Sequence, residues 1–226
     1  MKGGRIQLLP EASLAGKLGE FSALGQFLSG IKVSTPTAEL ASYMRRAEDA
    51  VRGSVRLEDL RQDAILRAYR DFFWRSGIDP TKTRPASEAL IRRVLRGNVL
   101  PAINSFVDAL NIASVETRIP FAAFDADRLT GRLQLRMARM GETILPIGHE
   151  GRLVLEGKEI VIADEGKVIA LYPHRDSEET KITQDTRNAL ILSCGVPGIG
   201  QTILESSLER CIATVMRFCG GKLSDG

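Results

Sequence analysis

Asn104, Asp108 and Asn111 recur at spacings of four and three within PAINSFVDALN (101–111). On a helix those spacings align the three side chains in one stripe. Ile103, Phe106, Val107 and Leu110 fall on a neighbouring stripe that reads as core. Short amides and a carboxylate along the edge of an apolar face admit two uses. They can hold water or an ammonium group at a pocket rim, where a carboxylate in a partly dry site binds a cation strongly. Alternatively, Asn104 caps a helix turn and Asp108 bonds nearby backbone.

A second polar set lies late in the chain. RDSEETKITQDTR (175–187) carries Arg175, Asp176, Thr180, Lys181, Thr183, Thr186 and Arg187. Burying so many hydroxyls and charges unpaired is costly, so they face solvent or form a satisfied network. They read either as a pocket rim or as a surface loop with Asp176 and Arg187 in salt bridges. A third set, Asp79, Thr81, Lys82, Arg84, Ser87 and Glu88, surrounds Pro85 and has the residue types of a helix start, a place that attracts phosphate. Arg92, Arg93 and Arg96, and separately Arg132, Arg136 and Arg139, form basic clusters suited to an RNA backbone or to plain solvation.

Familiar catalytic signatures fail. GVPGIGQT (195–202) lacks the lysine and glycine spacing of a phosphate loop. HRD (174–176) has neither the downstream asparagine nor the glycine-rich loop of a kinase. His149 and His174 stand apart without metal-ligand partners at useful spacing. No metal or other cofactor is expected. Cys194, Cys211 and Cys219 form no C-x-x-C pair and read as free thiols of a reducing compartment.

These residues need a scaffold. The chain has 226 residues, 43% hydrophobic and 26% charged, enough to bury a core without disulfides. Its net charge of +3 does not by itself announce a nucleic-acid binder, and 5% aromatics argues against a base-stacking platform. Helices are predicted over about 35–52, 57–74, 85–96 and the opening segment. In the second, Leu60, Ile65, Leu66, Tyr69 and Phe73 form the apolar stripe. Strands are predicted at 119–124, at 131–139 by alternation, at 168–172 and at 188–194, the last with a helical alternative. RLVLEGKEIVIAD (152–164) reads as two strands joined by a tight turn at Glu156-Gly157. A closing helix covers about 201–218. The expectation is one α/β (α+β) domain over 1–226, a central mixed sheet flanked by helices, with a helical N-terminal part (1–78) and a core (79–220) that bears the motifs. The start lacks an apolar run long enough for a signal peptide and no stretch suits a membrane span, so a cytoplasmic location is expected.

Longer words carry a resemblance. DPTKTRPASEALIRRVLRG, LPAINSFVDALNIASVETRIPFAAFDADRLTG, GETILPIG, IVIAD and RDSEETKITQDTRNALI resemble the free-standing B3/B4 domain family. That family is similar to the editing module of the phenylalanyl-tRNA synthetase β subunit. The resemblance implies a layered α/β domain with a pocket that hydrolyses a wrongly attached amino acid from tRNA, and no aminoacylation. Asn104, Asp108 and Asn111 match the synthetase's own Asn-x-x-x-Asp-x-x-Asn pattern. Where the synthetase reads Pro-Leu-His-Ala-Phe-Asp, this chain reads Pro120-Phe121-Ala122-Ala123-Phe124-Asp125, so Ala122 replaces the editing histidine. The candidates are then Asn104, Asp108, Asp176 and Thr183 for catalysis. Asn111, Ala122, Arg175, Thr186 and Arg187 would hold substrate, and Lys82, Arg84, Arg92, Arg93 and Arg96 would hold RNA. The implied partners are the aminoacylated 3′ end of tRNA and a synthetase. The alternative is a non-catalytic binder of tRNA, a free amino acid or a related small molecule.

Overall fold

Every residue of ALILSC (189–194) is buried, so this strand is covered on both faces. The structure, a computed structural model, describes residues 4–224; residues 1–3 and 225–226, the ends of the expected domain, lie outside the described residues. In chain order the elements are β1 (Arg5–Leu8), α1 (Ala12–Leu18), β2 (Ala23–Ser29), α2 (Ala38–Ser54), α3 (Ala64–Arg75), α4 (Ala86–Leu95), α5 (Ser105–Thr117), β3 (Phe121–Asp125), β4 (Gln134–Met137), β5 (Thr143–Ile144), β6 (Leu153–Val154), β7 (Ile160–Ala163), β8 (Val168–Leu171), β9 (Arg175–Asp176), β10 (Asn188–Cys194), α6 (Gln201–Cys219) and β11 (Lys222–Leu223). Among the described residues, no helix is long and apolar enough to cross a membrane.

The fold is α+β. The main sheet runs β1-β2-β10-β3, with β11 also paired to β2; a second runs β4-β7-β8-β9; β5 and β6 form a small third. All strand pairs are antiparallel, where a mixed sheet is expected from the sequence. α6 packs on β2 and β10, and β9 packs on β3. One continuous core joins both sheets to α3, α5 and α6, while α2, α4 and α5 enclose a separate cluster around Leu40, Met44, Ile91, Val94 and Ile112.

Two expectations are corrected. The N-terminal part is not all helical, because β1 and β2 join the main sheet. ALGQFLS is buried at six of its seven positions, so it shows no alternation to read. The expected hairpin over 152–164 does not form: β6 pairs β5, and β7 pairs β4 and β8. Tertiary pairing overrides the local turn signal at Gly157.

Gly195 links β10 to the turn before α6. Its N–H donates to Ser22 O at 3.0 Å and its carbonyl accepts from the Tyr172 hydroxyl at 2.5 Å. A Cβ there would lie 2.4 Å from Ser22 O and 2.6 Å from Leu204 Cδ1. Gly195→Ala is therefore expected to destabilise the fold by about 1–3 kcal/mol, the usual penalty of overpacking. A urea melt reads this directly, and an unchanged midpoint would disprove the close-packing argument.

Candidate functional site

β3 is an edge strand, so half its N–H groups need partners other than β10. Cys194 N donates to Pro120 O at 3.0 Å, and Leu192 faces Ala122 two residues on. By the ladder's alternation, the N–H groups of Phe121, Ala123 and Asp125 point to the free edge. Asp176 meets that edge: its Oδ2 accepts from Ala123 N at 3.3 Å.

The β8–β9 hairpin brings Asp176 there. Its turn, with a cis Tyr172–Pro173 peptide, closes through His174 N donating to Leu171 O at 2.9 Å. α3 holds the hairpin from behind. Phe72 and Tyr172 stack edge-on with centroids 6.2 Å apart, and Phe73 meets His174 at 5.6 Å. Tyr69 donates its hydroxyl to Cys194 O at 2.7 Å, tying α3 to the end of β10. Buried aromatics with a satisfied hydroxyl make a stiff support.

Between the free edge, the hairpin and the start of α4 lies a cavity of about 60 Å³, walled by Ala86, Phe121, Ala122, His174, Asp176 and Cys194 among others. That is room for a few waters. Burial pushes the Asp176 carboxyl up to about 7, only partly offset by the Ala123 hydrogen bond, so both protonation states are available at neutral pH. Burial, with Arg175 beside it, lowers His174 to about 4, so the imidazole is neutral. Burial first, and the Asp176 charge second, push the Cys194 thiol far up, which removes it as a thiolate nucleophile.

His174 and Arg175 also line a second, larger hollow of about 460 Å³. Its walls carry Lys82, Arg84, Arg92, Arg93, Arg96 and Arg175, with no carboxylate among the lining residues. All five residues assigned to RNA from the sequence thus share one groove. Arg92 is the least free, because its Nε pairs with buried Glu88 at 2.5 Å. A groove of one sign with low-dielectric walls concentrates polyanions.

Other candidates fall elsewhere. Asn104 is the N-cap of α5, its Oδ1 accepting from Phe106 N and Val107 N at 3.1 and 2.9 Å. The helix begins at Ser105, so Ile103 lies outside it and is exposed, not core. Asp108 is fully buried, accepts from Ile103 N at 2.8 Å, and leaves Oδ2 without a partner; burial raises its carboxyl. Its charge acts on Cys219, whose carbonyl accepts from Lys32 N beside the Ile31–Arg187 backbone bond. That is the Arg187 end of β10, whereas Asp176 sits at Ala123, opposite Ile191. Four residues of strand separate the two levels, on the order of 13 Å. Asn111 is half-buried on α5. Thr183, Thr186 and Arg187 close a turn on themselves: Thr186 Oγ1 accepts from Thr183 N and donates to Asp125 Oδ2 at 2.8 Å, and Arg187 donates to Gln184 O and Thr186 O. Among the described residues, neither Asp176 nor Arg187 is in an ion pair, unlike the surface-loop alternative. Arg136 is buried against Glu142 at 2.7 Å, so it does not join a basic surface.

Sequence reasoning passed over His174 and Trp74. His174 reads in the sequence as part of a kinase-like word and as a histidine without metal-ligand partners; its place between Pro173 and Arg175 is the available signal. Trp74 lies just off the stripe of α3 set by Leu66, Tyr69 and Phe73, which is how an outward aromatic reads.

The B3/4 domain family matches residues 68–220 of this chain. The chain belongs to the B3/4 domain family. The matched region holds α4, β3, the β8–β9 hairpin and β10, and so the whole Asp176 cavity. Across nearly its full length this B3/4 domain is similar to the phenylalanine–tRNA ligase beta subunit of Photorhabdus laumondii, 26% identical over 97% of this chain and 32% of that protein. The counterpart from Fusobacterium nucleatum is 35% identical over 43% of this chain and 12% of its own length. The chain thus spans about a third or less of these relatives. Among solved structures, an N-terminal fragment of the phenylalanyl-tRNA synthetase beta subunit from Pyrococcus horikoshii is similar at 13% identity and a TM-score of 0.47, covering 94% of this chain and 48% of that one.

Proposed function

We propose that this B3/4 domain is a stand-alone aminoacyl-tRNA deacylase, hydrolysing in trans the ester between an amino acid and the terminal ribose. The observation that carries the reading is Asp176, a carboxyl titrating near neutrality in a small cavity that shares His174 and Arg175 with a groove of six cations. The resemblance to synthetase beta subunits supplies the tRNA; the groove is the place to receive its phosphates, with salt-sensitive affinity.

In this reading Asp176 takes a proton from a water in the cavity. The resulting hydroxide attacks the ester carbonyl, the bond to the ribose oxygen breaks, and the proton passes to that oxygen, releasing a free amino acid and a ribose hydroxyl. The edge N–H of Phe121, which lines the cavity, is a fixed donor for the developing oxyanion. Arg175 and the α4 side of the groove hold the nucleotide end, so that positioning supplies part of the rate. Asn104 and Thr183 act at a distance in this scheme, by fixing the start of α5 and the turn before β10. Asp108 and Asn111 belong to the α5 scaffold, and Thr186 and Arg187 to that turn.

Ala122 favours a second reading, binding without hydrolysis, since a methyl group offers no proton transfer at that wall. One experiment separates the two. Purified protein is incubated with a full panel of correctly and wrongly charged tRNAs, and ester loss is followed against a no-protein control. Faster loss for at least one pair is the expected result. Uniformly unchanged half-lives, together with a concentration-dependent rise in Tm on adding uncharged tRNA or a free amino acid, would replace the hydrolase by a binder.

A further inference from the structure

A third hollow meets the first two at His174. It measures about 550 Å³ and shares Leu171, Tyr172 and His174 with the Asp176 cavity, and Thr83 and His174 with the cationic groove. Trp74, the single tryptophan of the chain, stands in its wall 58% exposed. Lys17, Arg75 and Lys158 line it as well, with one carboxylate, Glu159. Lys158 is held by Glu156, and the Glu159 carboxylate accepts from the backbone N–H groups of Glu156 and Lys158. Among the described residues, no carboxylate pairs with Lys17 or Arg75.

We propose that this hollow takes an unpaired base at the 3′ end of single-stranded RNA, stacked on the Trp74 indole, with Lys17 and Arg75 holding its phosphates. Three features converge on that occupant. A large aromatic with an open face beside unpaired cations is the composition of a single-strand binding platform, where stacking and charge act together. Its hollow accepts a planar ring, whereas the 60 Å³ cavity beside it does not. Leu171, Tyr172 and His174 border both this hollow and the Asp176 cavity, so a base on Trp74 would lie beside that cavity. Scarcity of aromatics argued against a stacking platform in the sequence; a single well-placed indole suffices for one base. The inference rests on the deacylase reading for the identity of the RNA, but not for its test.

Because Trp74 is the only tryptophan, its emission reports the site without a label. A short single-stranded RNA ending in adenosine is titrated into the protein, beside the same RNA with an abasic terminal residue. The first is expected to quench the emission saturably and the second to leave it nearly unchanged. Trp74→Ala should weaken binding of the first RNA by roughly 5- to 150-fold, followed by anisotropy of a labelled strand, while Trp74→Phe stays within a few-fold. An exposed side chain contributes little to the fold, and a thermal melt of both variants checks this. Emission that stays constant while anisotropy saturates, or equal binding by Trp74→Ala, overturns the proposal. Trp74-dependent binding in a protein that deacylates nothing keeps this site and removes the hydrolase. Deacylation unaffected by Trp74→Ala does the reverse.

Discussion

Asp176→Asn lowers the deacylation rate by about 10²- to 10⁴-fold, the range of a lost general acid–base group. The amide keeps an oxygen that accepts from Ala123 N, so the edge contact of β3 survives and the loss is chemical. In the parent protein, the rate should climb with pH and reach half its plateau near 7, where the buried carboxyl ionises. Stability moves the other way. The folded state keeps the Asp176 proton to about pH 7, while the unfolded chain releases it near 3.8. Between those values the folded state binds more protons, so this group's contribution is fully present below about 3.8 and is lost as pH rises to about 7. The asparagine variant lacks that dependence. Its Tm relative to the parent should therefore be higher at pH 8 than at pH 5. A rate within threefold of the parent, or a Tm difference independent of pH, would remove Asp176 from its role.

The largest effect on stability is expected at Glu88. This carboxylate is 1% exposed and receives Arg70 Nε at 2.6 Å, Arg70 Nη2 at 2.5 Å and Arg92 Nε at 2.5 Å. Burial alone would raise its carboxyl; the hydrogen bonds and charges of the two arginines outweigh burial and hold it low. Glu88→Ala strands both guanidinium groups in partly dry surroundings. Removing one partner of a buried ionic cluster typically destabilises by about 3–5 kcal/mol. Denaturant unfolding measures this, and a loss under 1 kcal/mol would show that water already reaches the cluster. The parent's advantage from this carboxylate is fully present above its unfolded value of 4.5 and is lost as pH falls through the lowered folded value. The same change loosens α4 against α3, and α4 with its C-cap carries Arg92, Arg93 and Arg96 into the groove. RNA affinity should fall with it.

Much of this protein was legible in its sequence. Periodicity gave α6 nearly to both ends and α3 at its C-terminal end, because an amphipathic stripe is a local consequence of facing one core. The predicted start at 57 is corrected, since a separate short turn at Asp59–Arg61 precedes α3, which begins at Ala64. Capping chemistry identified Asn104, since a short amide before an apolar helix satisfies its first N–H groups wherever the helix lies. The five basic residues at 82–96 belong together because one turn and one helix carry them. Tertiary structure alone decided the rest. Asp108 has the residue type of a proton-transfer group and stands in the Asn104–Asp108–Asn111 pattern, yet its helix turns it into the scaffold rather than towards Asp176. Asp176 acquires its raised carboxyl and its cavity only when a hairpin formed by β8 and β9 meets the free edge of β3, some fifty residues earlier. His174 and Trp74 become candidates only when α3 packs behind that hairpin. Local sequence sets which bonds a segment makes with itself. Desolvation, shared walls and access depend on segments distant in the chain, and these turn a side chain into a site.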